Sequence, residues 1–142
     1  MKYLGFDLGT KTLGISISDS KGIIALPLTT LRYNNENYEM LLVEIKKIIT
    51  ENNIDKIVLG LPKNMNNTLG ERALKTLDFK NILENKFSIE VIMQDERLST
   101  MEVHKFLIDK DVTRNKRKKV VDKMASQVIL QSYLDKINNE RN

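Results

Sequence analysis

The sequence predicts an α/β fold: a mixed five-stranded sheet in the order βββαβαβα, its first three strands antiparallel, with helices on both faces. Three observations lead there. Residues 1–30 hold three apolar stretches separated by two short turns. The remainder alternates between helical spacing and short apolar strands. A composition of 41% hydrophobic and 30% charged residues over 142 positions suits a globular domain with its own core. We read residues 1–142 as one domain, without internal repeat or low-complexity tract.

The first strand is "KYLGFDL", in which Tyr3, Gly5 and Asp7 alternate with Leu4, Phe6 and Leu8. "GISIS" follows the turn "GTKT" as a second strand, and "IIALPLT" follows "SKG" as a third; such close spacing makes an antiparallel meander. Met40, Leu41, Ile45, Ile48 and Ile49 then recur at helical spacing until the asparagine pair in "ENN". "KIVLGLP" is a strand bounded by Pro62. "NMNNTLGERALKTLDFKNIL" is a loop and a helix, with Thr68 and Glu71 spaced as a capping box. "IEVIMQ" is the fifth strand. Ser99 and Glu102 repeat the capping pattern and open a helix to about Ile108. The basic stretch 114–119 reads as a loop, and a long last helix starts near Lys119.

Composition excludes several functions. Without cysteine there is no disulfide scaffold and no thiolate metal site, which suits a reducing cytoplasm. No apolar stretch reaches membrane-spanning length, and "MKYLGFDLG" enters a strand with no cleavable signal, so a cytoplasmic protein without a membrane partner is expected. The single histidine, His104, is expected on a helix surface; a Ser–His triad or a histidine-rich zinc site lacks its parts. A net charge of +4 favours a polyanionic partner, and "RNKRKK" concentrates Arg114, Lys116, Arg117, Lys118 and Lys119. Aromatic residues are only 6% and do not interleave with these cations, so shape and charge rather than base stacking would govern recognition.

The acids carry the chemistry. Asp7, between Gly5 and Gly9, either hydrogen-bonds its own turn or holds a divalent cation at the sheet edge. The turn "GTKTLG" offers Thr10, Lys11 and Thr12 to an anion, although a strand follows where a Walker loop would have a helix. "DERLST" supplies Asp95, Glu96 and Arg97 at the end of the fifth strand. Asp122, expected in the first turn of the last helix, suits its dipole, and it shares a face with Ala125, Ser126, Ile129 and Tyr133, a small and mostly apolar face expected to pack on the sheet. Asp7, Glu96 and Asp122 thus come from three elements whose ends one sheet edge could gather. Converging carboxylates repel unless cations lie among them. Two Mg²⁺ or Mn²⁺ ions would relieve that repulsion and support phosphodiester hydrolysis. Asp95 is the alternative ligand. If the fifth strand lies beyond the fourth, Glu96 starts roughly 10 Å from the first strand.

"FDLGTKTLGISISDSKG", ending in Asp19, resembles the first phosphate-binding hairpin of the sugar kinase, actin and Hsp70 superfamily. One hairpin in a chain too short for two lobes points to the shared ribonuclease-H-like core rather than to ATP. Four blocks in order, "GFDLGTKTLGISISD", "VLGLPKNMNNTLGERA", "DERLST" and "VVDKMASQVILQSYL", resemble the YqgF/RuvX family over nearly the whole chain. The resemblance implies a ribonuclease-H-like fold and a nuclease that matures the 5′ end of pre-16S ribosomal RNA in ribosome biogenesis. Holliday junction resolution, or a non-catalytic RNA-binding module, is the alternative. It further implies Asp7, Glu96 and Asp122 as the catalytic and metal-binding acids, and Lys11 and Arg97 as contacts to the scissile phosphate. Partners would be structured RNA or branched DNA, met by a monomer or weak homodimer. Two positions depart from the family pattern: Ser126 replaces a small apolar residue, and Asn67 stands where glycine is common.

Overall fold

Strand alternation at the N-terminus decides the layering. The computed structural model describes residues 1–34, 37–62, 70–95 and 114–140, with side chains of the last helix described from Met124 onward. The strands are β1 (Tyr3–Leu8), β2 (Thr12–Ser18), β3 (Ala25–Arg32), β4 (Lys56–Leu61) and β5 (Glu90–Asp95). The helices are α1 (Glu39–Asn52), α2 (Glu71–Phe87) and α3 (Arg114–Glu140). They form one sheet in the order β3-β2-β1-β4-β5. The β1–β2 and β2–β3 pairs are antiparallel, and β1–β4 and β4–β5 are parallel.

One face of β1 presents Leu4, Phe6 and Leu8 to Leu41 and Ile45 of α1 and to Phe79 and Leu83 of α2. Fully burying each such side chain contributes about 1.5–3 kcal/mol. The opposite face places Tyr3 and Val58 against Ile129, Leu130 and Leu134 of α3, with Tyr3 and Tyr133 edge-to-face at 5.9 Å between ring centroids. Helices therefore cover both faces, as expected. The asparagine pair also ends α1 as expected: Asn53 adopts a left-handed φ of 53° and its N–H bonds the Ile49 carbonyl.

Three boundaries differ from the sequence reading. β3 starts at Ala25 rather than Ile23, because Asp19 Oδ1 accepts from the amides of Ile23 (2.8 Å) and Ile24 (3.0 Å) and holds both in the turn. The strand then runs on to Arg32 along the sheet edge. It passes a bulge where Ser16 pairs with Pro27 and Ile15 with Thr29, a position that tolerates proline. The N-cap of α2 is Gly70, without a side-chain cap bond, so Glu71 is the first helical residue instead of the closing member of a capping box. Thr68 lies outside the described residues.

The third difference concerns the basic stretch, which is helix and not loop: α3 begins at Arg114, so Asp122 falls beyond the first turn, where the helix dipole does not account for it. Lysine and arginine are strong helix formers, and no glycine or proline interrupts them, so like-charge repulsion does not outweigh propensity. The expected helix from Ser99 to Ile108, with His104, lies outside the described residues. No helix among the described residues is long and apolar enough to cross a membrane.

Candidate active site at the end of the first strand

Asp7 is half-buried and shares the α3 side of β1 with Tyr3 and Gly5. What seats α3 there is the absence of side chains. A Cβ on Gly5 would stand 2.6 Å from Leu130 Cβ, 2.4 Å from Ser16 Oγ and 2.9 Å from the Ser126 carbonyl oxygen, so only glycine fits. Gly14, the β2 partner of Asp7, faces Ser126. From its ideal Cβ position Ser126 Oγ is 3.6 Å away and Asp7 Cβ 3.8 Å away. Ser126 is buried, and its carbonyl accepts a hydrogen bond from Ser16 Oγ at 2.7 Å. The departure from a small apolar residue at this position is therefore accommodated by close packing of an equally small one.

These contacts fix the register of helix against strand. Leu130 lies over residue 5 and Ser126 over the level of residue 7. One helical turn of four residues, about 6 Å, matches two strand residues, about 6.6 Å. The next turn of α3 is that of Asp122, and it falls just beyond Asp7 at the carboxyl end of β1.

Carboxamides that sequence reasoning did not single out lock the rest of the helix in place. Gln131 accepts from the Ala25 amide (2.9 Å) and donates to the Ile23 carbonyl (2.9 Å). Gln127 donates to the Ala25 carbonyl (3.0 Å) and Asn138 to that of Gly22 (3.0 Å). Their spacing of four and seven residues marks one polar stripe on α3, and that was the available signal.

The turn after Asp7 is held from three sides. The Gly9 amide donates to Thr12 O (2.8 Å), the Tyr33 hydroxyl donates to Gly9 O, and Arg72 Nη2 donates to Leu8 O (3.3 Å). Lys11 stands exposed on this turn. Asp19 lies at the other end of the hairpin. There the backbone amides of Ile24 and Ile23 hold its carboxyl below the usual carboxylate range, which gives it a turn-forming role.

Of the second acid block, Asp95 is less central. β5 lies beyond β4, so Asp95, paired with Leu61, is two strand spacings from β1, roughly 10 Å. It also alternates with Val91 and Met93, which pack on the α1/α2 side, whereas Asp7 is on the α3 side. Gln94, paired with Gly60, is the β5 residue that alternation assigns to the face of Asp7. Glu96 and Arg97 lie outside the described residues. Arg114, Lys116, Arg117, Lys118 and Lys119 occupy the first turns of α3, ahead of Asp122. Among the described residues no three His, Asp or Glu side chains gather as a metal site; that set includes Asp7 and Asp95 but not the side chains of Glu96 and Asp122.

Comparisons agree with this architecture. A family model described as "RuvX: Holliday junction resolvase" matches residues 1–136. A protein of Bacillus pumilus is 49% identical across 97% of this chain and 100% of its own length. One from a Geobacillus strain is 52% identical across 95% and 98%, and one from Bacillus subtilis 48% identical across 97% and 100%. All three are named as candidate pre-16S rRNA nucleases. Among solved structures, Thermus thermophilus RuvC bound to a Holliday junction substrate aligns with a TM-score of 0.54 at 12% identity, covering 96% of each chain. The fowlpox virus Holliday junction resolvase aligns with a TM-score of 0.52 at 16% identity, covering 96% of this chain and 99% of its own. At those identities the likeness establishes the ribonuclease-H-like fold of the RuvC type. The full-length sequence matches establish more: this chain belongs to the RuvX family.

Proposed function

We propose that the chain, as a single domain over residues 1–142, is a cation-dependent nuclease. It hydrolyses phosphodiester bonds in structured RNA, and its substrate is the 5′ end of pre-16S ribosomal RNA. The names borne by relatives at about half identity support the substrate. The observation that carries the chemistry is the register of Leu130 and Ser126 on β1: continued by one helical turn, it leads to Asp122 near the end of the strand that holds Asp7.

The donor set fits a hard divalent cation. Asp7, Glu96 and Asp122 are all carboxylates, and oxygen donors suit Mg²⁺ or Mn²⁺ where thiolates would not. These three would hold the metal, two ions in all. Bound there, the metal supplies an acidified water and neutralises charge on the phosphoryl oxygens. The chain's own residues do the rest. Half-buried Asp7 is kept in place by the clamped turn behind it, and Lys11 and Arg97 orient the scissile phosphate. The cationic first turns of α3 attract the backbone, which makes affinity fall steeply with salt. The protein acts in the cytoplasm as a monomer or weak homodimer.

The test compares cleavage of a labelled precursor RNA and of a four-way DNA junction, each with Mn²⁺ and with EDTA. Wild type should trim the RNA to the mature end only with the metal, and Asp7→Asn should cut at least about 10³-fold more slowly. The family description favours a second reading, junction resolution; symmetrical cutting of the junction with intact RNA would establish that instead. Binding of RNA without any cutting would leave a non-catalytic module.

A further inference from the structure

We infer that a second phosphate of the substrate strand binds on the opposite side of the Gly9–Thr12 turn from Asp7, between Arg72 and Lys75; this rests on the nuclease reading. A small cleft of about 50 Å³ opens there, lined by Gly9, Thr10, Tyr33, Tyr38, Arg72 and Lys75. Tyr33 and Tyr38 pack on the α1/α2 core, with ring centroids 5.6 Å apart, and the Tyr33 hydroxyl is committed to Gly9 O. Tyr33 is almost wholly buried and backs the cleft, and half-buried Tyr38 beside it gives the cleft a firm apolar lining.

Two cations line the same cleft. Arg72 is exposed in the first turn of α2, and its bond to Leu8 O commits one of the five guanidinium donors while anchoring the group at the cleft. Lys75 follows at helical spacing on the same face. Its ammonium lies 3.4 Å from Glu71 Oε1, but that carboxylate is 84% exposed and a surface pair of this kind is weak. Both cations also sit at the positive end of the α2 dipole. Ring carbons and two cations lining one cleft suit a sugar-phosphate unit of nucleic acid.

Distance ties this cleft to the acids. Gly9 and Thr10 follow Asp7 by two and three residues, a span of at most about 10 Å. A nucleic-acid strand places a phosphate about every 3.4 Å of helix axis. With one phosphate beside Asp7, another two or three nucleotides along lies within reach of Arg72 and Lys75. The strand would then straddle the turn, gripped on both sides of the sheet edge without any reading of base sequence.

The test is equilibrium binding of a fluorescent single-stranded RNA in EDTA, followed by anisotropy over a salt series, so that cutting does not enter. Arg72→Gln/Lys75→Gln should bind about tenfold more weakly at low salt. Its slope of log affinity against log salt should be shallower by about 0.7 for the lost phosphate. Arg72→Lys with native Lys75 should restore the slope. Lys46→Gln/Lys47→Gln on α1 makes the same change in net charge away from the cleft and should leave the slope at the wild-type value. A wild-type slope in the cleft variant, with its fold verified by circular dichroism, would overturn the inference, as would an equal loss in the α1 variant. RNA binding that depends on the cleft in a protein that never cuts with Mn²⁺ would keep this inference and sink the nuclease reading alone.

Discussion

The two faces of the sheet are built on different principles. On the α1/α2 side, Leu4, Phe6, Leu13, Ile57, Phe79 and Leu83 interdigitate as large apolar side chains in a thick core. On the α3 side the apolar cluster is smaller, and Gly5, Gly14, Ser16 and Ser126 bring helix and strand into near-contact. There, carboxamide bonds to the edge backbone do much of the holding. One face supplies stability through volume; the other supplies position through the absence of volume. Asp7 lies on the second, where a carboxylate can stand half-buried beside small residues and polar atoms instead of within hydrocarbon.

Damage to the two faces should therefore read out differently. Phe79→Ala removes a fully buried ring from the thick core and should cost about 3–5 kcal/mol, seen as a large fall in Tm, with cleavage per folded molecule little changed. Gly5→Ala should cost at least about 1–3 kcal/mol, because its methyl group can be admitted only by driving Leu130 Cβ and the Ser126 carbonyl, and α3 with them, away from β1. That shift moves the turn of Asp122 relative to Asp7. Cleavage by Gly5→Ala should thus fall well below that of Phe79→Ala when both are assayed at a temperature where each is folded. Equal cleavage in the two variants would remove the distinction between the faces.

The smallest effect concerns the turn at the far end of the hairpin. Asp19 has its folded pKa lowered by the amides of Ile24 and Ile23. A depressed carboxylate contributes stability that is complete above its unfolded pKa and is lost as pH falls through the folded one. The advantage of wild type over Asp19→Asn in thermal melts should hold at neutral pH and shrink below about pH 4. Exposure of the carboxylate keeps it modest.

Much of this was legible in the sequence where local pattern and tertiary outcome coincide. The alternation of Tyr3, Gly5 and Asp7 with Leu4, Phe6 and Leu8 assigned both faces of β1, and the small face running from Asp122 through Ser126 anticipated the packing of α3. Boundaries were missed where a side chain competes with the backbone, as Asp19 does for Ile23 and Ile24. They were also missed where charge suggested a loop although lysine and arginine favour helix, as at Arg114. The cleft beside Gly9 was invisible because it joins residues near 9, 33 and 72, which only the fold brings together. The position of Asp95, two strands from Asp7 and on the other side of the sheet, depends on strand order, which local pattern does not carry.

The most direct measurement is a double-mutant cycle on single-turnover cleavage of precursor RNA, with Asp7→Asn, Asp122→Asn and the pair. Carboxylates that serve one site act as a unit, so each single change should cost on the order of 10³-fold or more and the pair should cost no more than either alone. Wild-type cleavage by Asp122→Asn, or losses that multiply in the pair, would contradict the meeting of β1 and α3 in one active site.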